Sequence, residues 1–150
     1  MANQHRPRPI RVLDCPVGTE YDEETFRYFL TIEQARAARA SHPLRILLAT
    51  LEPTPGKAVP FPRAGAVRLF DALRLALRDT DVMGWYQQDR VAGAVLTVPP
   101  GAPGAELTSQ LERRVGEALR RRMPRTLAPA LRVRVVQRSS GETARERGTA

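Results

Sequence analysis

Few side chains in this chain have the chemistry to drive a reaction, and most of those stand alone. His5 and His42 have no second ligand near them in the sequence, so neither reads as half of a metal site. Cys15 is the sole cysteine and has no activating partner beside it, which fits an inert thiol better than a nucleophile. Glycines at phosphate-loop spacing are absent, so no P-loop is expected. Arg120, Arg121 and Arg122 end a helical pattern, where the helix dipole favours cations without any ligand. What remains is the run from Arg78 to Leu96. Its start carries Arg78, Asp79 and Asp81, and its middle carries Gln87, Gln88, Asp89 and Arg90. Read locally, Arg78 caps the end of a helix and Asp81 forms a turn.

The elements around this run decide where those residues sit. Residues 82–86 and 91–98 read as short strands joined by the polar turn 87–90, an antiparallel hairpin. Asp22, Glu23 and Glu24 open a helix that carries Phe26, Phe29 and Leu30 on one face and ends at Ser41-His42-Pro43. Residues 44–51 (LRILLATL) are a continuous aliphatic run of strand length, the pattern of a central strand buried on both faces. Prolines and glycines over 52–65 predict a loop. Val67, Phe70, Leu73 and Leu77 predict a second helix over 66–78. Leu107, Leu111, Val115, Ala118 and Leu119 predict a third over 106–123. Residues 131–136 alternate as a half-exposed last strand, and 10–15 have the look of an edge strand. The order is helix, strand, helix, strand, strand, helix, strand. A crossover flanking a hairpin in this order predicts an α+β, ferredoxin-like antiparallel sheet with helices packed on it.

Composition sets outer bounds. At 150 residues one domain with a real core is expected, over 10–137, between a disordered arm at 1–9 and a disordered tail at 138–150. Aromatics make up only 5%, so that core should be aliphatic. The net charge is +8, and all 24 basic residues are arginine except Lys57. Such a balance favours anionic partners. A lone cysteine excludes an internal disulfide framework and suits a reducing compartment. Without an apolar run of about 18 residues or a signal-peptide pattern, the expectation is a cytoplasmic protein with no membrane insertion.

In this layout the chain resembles the GGDEF domain of diguanylate cyclases, within the nucleotidyl cyclase-like fold, over roughly residues 26–136. That family reads R-E-T-D-x-x-x-R-Y-G-G-D/E-E-F-x-V-L-L across its hairpin. The same register, without a gap, gives Arg78, Thr80 and Asp81, then Trp85 in place of the arginine and Tyr86 retained. Gln87-Gln88-Asp89-Arg90-Val91 take the place of the signature pentapeptide. Thr50 and Glu52 fall at the acidic positions that end the family's first strand.

The resemblance implies a catalytically dead cyclase. The family's glycines let the backbone approach bound nucleotide, and Gln87 and Gln88 put side chains into that space. The family's acids hold two magnesium ions, which carry most of the electrostatic stabilisation in phosphoryl transfer. Here Thr50 replaces an aspartate, Arg90 is a cation where a carboxylate stood, and only Glu52 and Asp89 keep an acid. No metal, no cofactor and no enzymatic activity are therefore expected. The resemblance also implies a retained product site. Arg78 and Asp81 match the family's R-x-x-D motif for cyclic di-GMP, five residues before the signature, with Arg113 or Arg114 as the helping arginine. Arginine's planar fork suits phosphate or guanine, and aspartate accepts from guanine N–H groups. The expected role is a bacterial signalling module that binds cyclic di-GMP or a protein partner; homodimerisation stays open. A nucleic-acid binder is the competing expectation from the charge and sheet. It needs exposed strand aromatics for base stacking, and 44–51 offers none.

Overall fold

A computed structural model describes residues 20–78, 81–96 and 104–138. The expected strand at 10–15, the N-terminal arm, Cys15, Asp79, Thr80 and the tail beyond Arg138 lie outside them. The first helix, α1 (Glu23–Arg39), starts where its chemistry says it should. Asp22 is the N-cap, its carboxylate accepting the Thr25 N–H at 2.8 Å, with Glu23 and Glu24 in the first turn and Arg36 and Arg39 in the last. The helix ends by reversing at Ser41, whose φ of 54° is left-handed. His42 N–H then reaches Ala37 O and Ser41 N–H reaches Ala38 O, closing the last carbonyls in a Schellman arrangement.

The strand β1 (Leu44–Thr54) is central, as its aliphatic run predicts. Along one edge it pairs antiparallel with β4 (Val91–Leu96), from Arg45↔Leu96 to Thr50↔Val91. Along the other it pairs antiparallel with β5 (Leu131–Arg138), from Leu44↔Arg138 to Leu51↔Leu131. The strand β3 (Val82–Gln87) pairs with β4, so the order is β3-β4-β1-β5 with every neighbour antiparallel. Helices α2 (Arg63–Ala76) and α3 (Gly104–Arg122) complete the α+β fold, with a short 3-10 turn at Ala128–Ala130 leading into β5.

The proline-rich segment 52–65 is not the loop its composition suggests. The central strand runs on through Thr54, Gly56 turns with a φ of 81°, and a short β2 (Lys57–Val59) pairs back onto β1. Pro53 is accommodated because the pairing slips between Leu51 and Thr54, the kind of irregular edge where a missing N–H costs nothing. Helix α2 also begins three residues before its apolar pattern does, straight after Pro62.

Side-chain alternation splits the sheet into two faces. Leu47, Ala49 and Leu51 of β1, with Met83, Trp85, Ala92, Ala94 and Leu131, pack beneath α2 and α3 around Leu69, Phe70, Leu73, Val115 and Leu119. Leu44, Ile46 and Val95 face the other way and pack against Phe26 and Leu30 of α1. Trp85 is only 6% exposed and is held between Phe61 and Phe70, with ring centroids at 5.8 and 5.0 Å. It fills core and offers no surface for stacking on a base.

Backbone groups on two outer strands, β3 and β5, are met by other parts of the chain. Tyr21 lies along β3, donating to Met83 O at 3.1 Å and accepting from Trp85 N–H at 2.9 Å. On β5, the Val135 N–H donates to Glu112 of α3 at 2.8 Å, and Leu131 O accepts from Arg120 at 3.3 Å.

The attachment of α1 depends on a pair of glycines facing one another across β3 and β4, Gly84↔Gly93. A Cβ on Gly93 would stand 2.8 Å from Phe26 Cε1, and one on Gly84 would stand 2.5 Å from Tyr21 O. Gly93→Ala should therefore destabilise the fold by about 1–3 kcal/mol through overpacking. Most of that loss should vanish in a Phe26→Leu background, which removes the ring. Gly84→Ala should keep its penalty there, because the Tyr21 carbonyl remains. Urea unfolding of the single and double variants measures both.

Candidate functional site

Two polar turns bracket β3, and they hold most of the residues with chemical potential. The first precedes the strand. Asp81 Oδ2 accepts the Arg78 N–H at 2.9 Å, while Asp81 N–H donates to Arg78 O at 2.9 Å. Arg78 follows directly on Leu77, the C-cap of α2. The local reading of these residues as a helix end and a turn thus describes their geometry. The same bonds fix Arg78 and Asp81 relative to one another, with Asp81 half-buried and Arg78 exposed. Arg113 and Arg114 are exposed positions on α3.

The second turn joins β3 to β4 at the far end of the strand. Arg90 N–H donates to Gln87 O at 3.0 Å, and Asp89 takes a left-handed φ of 62°, a conformation aspartate tolerates better than most residues. Gln88 is locked to the start of α1 by reciprocal bonds. Glu23 N–H donates to Gln88 Oε1 at 3.1 Å, and Gln88 N–H donates to Glu23 Oε1 at 2.7 Å. The glutamine amide thereby satisfies a first-turn donor of α1 that has no partner inside the helix. Gln88 Nε2 also reaches Asp89 Oδ1 at 3.3 Å, and Asp89 O accepts the Phe61 N–H at 2.7 Å. The side chains of Gln87, Gln88, Asp89 and Arg90 are exposed.

Beside this turn Tyr86 is bracketed by arginines. Arg27 Nε donates to Tyr86 O at 3.0 Å, and its guanidinium lies 4.9 Å from the ring centroid. Arg138 Nη2 donates to the Tyr86 hydroxyl at 3.1 Å. On β1, Thr50 and Glu52 are half-buried, and the Thr50 hydroxyl approaches Glu52 Oε1 at 3.5 Å. Among the described residues no group of three or more His, Cys, Asp or Glu side chains is gathered in a way that could hold a metal ion. Nor is any helix among them long and apolar enough to cross a membrane.

No protein-family model matches the chain. No curated protein matches it either. The functional reading therefore rests on residues and geometry.

Sequence reasoning located the two turns and missed what holds them. Glu23 looked like a helix-dipole residue, and its grip on Gln88 across 65 residues has no local signal. Gly84 and Gly93 did carry one. A single glycine inside an apolar strand marks a place where another group comes close.

Glu23→Ala and Gln88→Ala should each cost about 0.5–1.5 kcal/mol, the usual worth of such bonds. The double variant should lose less than the sum, since each substitution breaks the same pair. A double-mutant cycle in urea, with amide exchange at residues 23 and 88, reads that coupling.

Proposed function

We propose that this chain is a catalytically inactive, GGDEF-like module of the ferredoxin-like, nucleotidyl cyclase-like class, and that it works by binding. The strand order β3-β4-β1-β5, all antiparallel, with α2 and α3 on one face, supports the fold assignment. The observation that carries the functional reading is the reciprocal pair between Glu23 and Gln88. In an active cyclase the equivalent turn is glycine, open to nucleotide. Here the turn amide is already committed to a carboxylate of α1. A nucleotide phosphate brought to it would have to displace that carboxylate and meet its charge.

Cyclic di-GMP is the ligand this reading assigns to the opposite turn. Arg78 and Asp81 are held together before any ligand arrives, which lowers the entropy lost on binding. Arg78 would grip phosphate or guanine, Asp81 would accept from guanine N–H groups, and Arg113 or Arg114 would supply the further cation. A protein partner is the second reading. It has its own observation, since Val67 and Leu75 of α2 are 46% and 67% exposed. Nucleic acid is the weakest candidate: of the strand aromatics among the described residues, Trp85 is buried under α2 and Tyr86 is half-buried with the Arg27 guanidinium over its ring.

Calorimetric titration of the full chain with cyclic di-GMP tests the assignment. Binding in the micromolar range is expected, with loss in Arg78→Ala and in Asp81→Ala. No heat at concentrations where an affinity of about 1 mM would register sinks the ligand reading and leaves the protein partner. GTP turnover with Mg²⁺ or Mn²⁺ should be absent, and its presence would overturn the inactive assignment.

A further inference from the structure

The strand β1 has an unusual second residue. Arg45 pairs with Leu96 on one side and Gln137 on the other, and it is only 3% exposed. Its Nε is buried without a hydrogen-bond partner. The ion pairs among the described residues join Arg27 to Glu23, Arg36 to Glu33 and Arg74 to Asp71, and none reaches Arg45. A buried N–H donor left without an acceptor costs free energy.

The guanidinium also points at the start of a helix. A Cβ placed on Gly104, the first residue of α3, would lie 3.7 Å from Arg45 Nη2 and 3.4 Å from Gln137 Oε1. Helix α3 is 19 residues long, and its N-terminus carries the positive end of the dipole. The guanidinium thus meets the positive end of the dipole with a carboxamide beside it, and the one acid in the first turn of α3, Glu106, is exposed. An aliphatic residue at position 45 would continue the run of β1 at lower cost.

We infer that Arg45, Gln137 and the N-terminus of α3 form an anion site that takes a phosphate group, either free phosphate or a monoester on a small molecule. Arginine's fork binds two oxygens of a tetrahedral anion, and helix N-termini bind the same group through the dipole and backbone N–H donors. Gln137 presents a carboxamide that can turn its amino end toward the anion. The site uses none of the residues in the Arg78–Asp81 turn, so it stands or falls separately from the cyclic di-GMP reading.

The test is titration of the full chain with sodium phosphate, and in a second arm with glycerol phosphate, at ionic strength held constant with sodium chloride. Calorimetry reads affinity and thermal unfolding reads stabilisation. Wild type should bind and melt at a higher temperature in phosphate. Arg45→Met should not respond, yet should melt above wild type in chloride, because the buried, unpaired Nε donor is gone. Gly104→Ala fills the space between Gln137 and Arg45 with a methyl group and leaves the core alone. Its phosphate affinity should fall about tenfold, the worth of a hydrogen bond to a charged group. Tighter binding of glycerol phosphate supports a monoester ligand, and tighter binding of the free ion supports phosphate itself. No binding in wild type overturns the site. So does an undiminished response in Gly104→Ala, even if Arg45→Met fails to fold.

Discussion

The seating of Phe26 on the Gly84–Gly93 pair is the constraint on which the rest of the molecule depends. Cross-strand neighbours on one face normally meet through their Cβ atoms. Here both are missing, and the Phe26 ring drops to the backbone with no exposed surface. That depth brings α1 close enough for Tyr21 to bond along the edge of β3 and for Glu23 to reach Gln88. It also fixes the hairpin register. A one-residue slip of β3 against β4 would put a side chain under the ring and turn Trp85 out of the core.

The same closeness bears on chemistry. A turn that binds phosphate needs free N–H groups and backbone that can be approached without side chains. The hairpin turn has neither at Gln88, whose amide is satisfied by Glu23. Its polar groups serve to pin α1. Glu52 beside Thr50 and Asp89 beside Gln88 are likewise engaged by neighbours that are neutral and local.

Much of the architecture was legible because local signals and burial agree. The aliphatic run 44–51 became the central strand. Asp22 marked a helix start, and the polar residues 87–90 marked the hairpin. The segment 52–65 misled because proline is read as a breaker, whereas a strand that leaves regular pairing for a bulge has no N–H to lose there. The early start of α2 was hidden because Pro62, Arg63 and Ala64 are exposed and carry no apolar period. The site was less legible than the fold. Its bonds join residues far apart in sequence, and Arg45 looked like one arginine among many inside an aliphatic strand. Only burial sets it apart.

The charge of the chain reads differently once its arginines are followed individually. Arg27 and Arg138 hold Tyr86, Arg120 covers Leu131 O at the edge of β5, and Arg132 donates to Pro129 O and Leu131 O. These guanidiniums serve as multi-donor staples for carbonyls and a phenol, work that a lysine ammonium does with less geometric definition. Other arginines stay at the surface, among them Arg113, Arg114, Arg121 and Arg122 on α3. Arg45 is the exception in kind. Its Nε is buried with no acceptor among the described residues, at the end of the sheet where a helix begins. Beside arginines that satisfy acceptors of their own chain, a buried Nε without one, set against a helix start, is where an acceptor from outside has a place to bind.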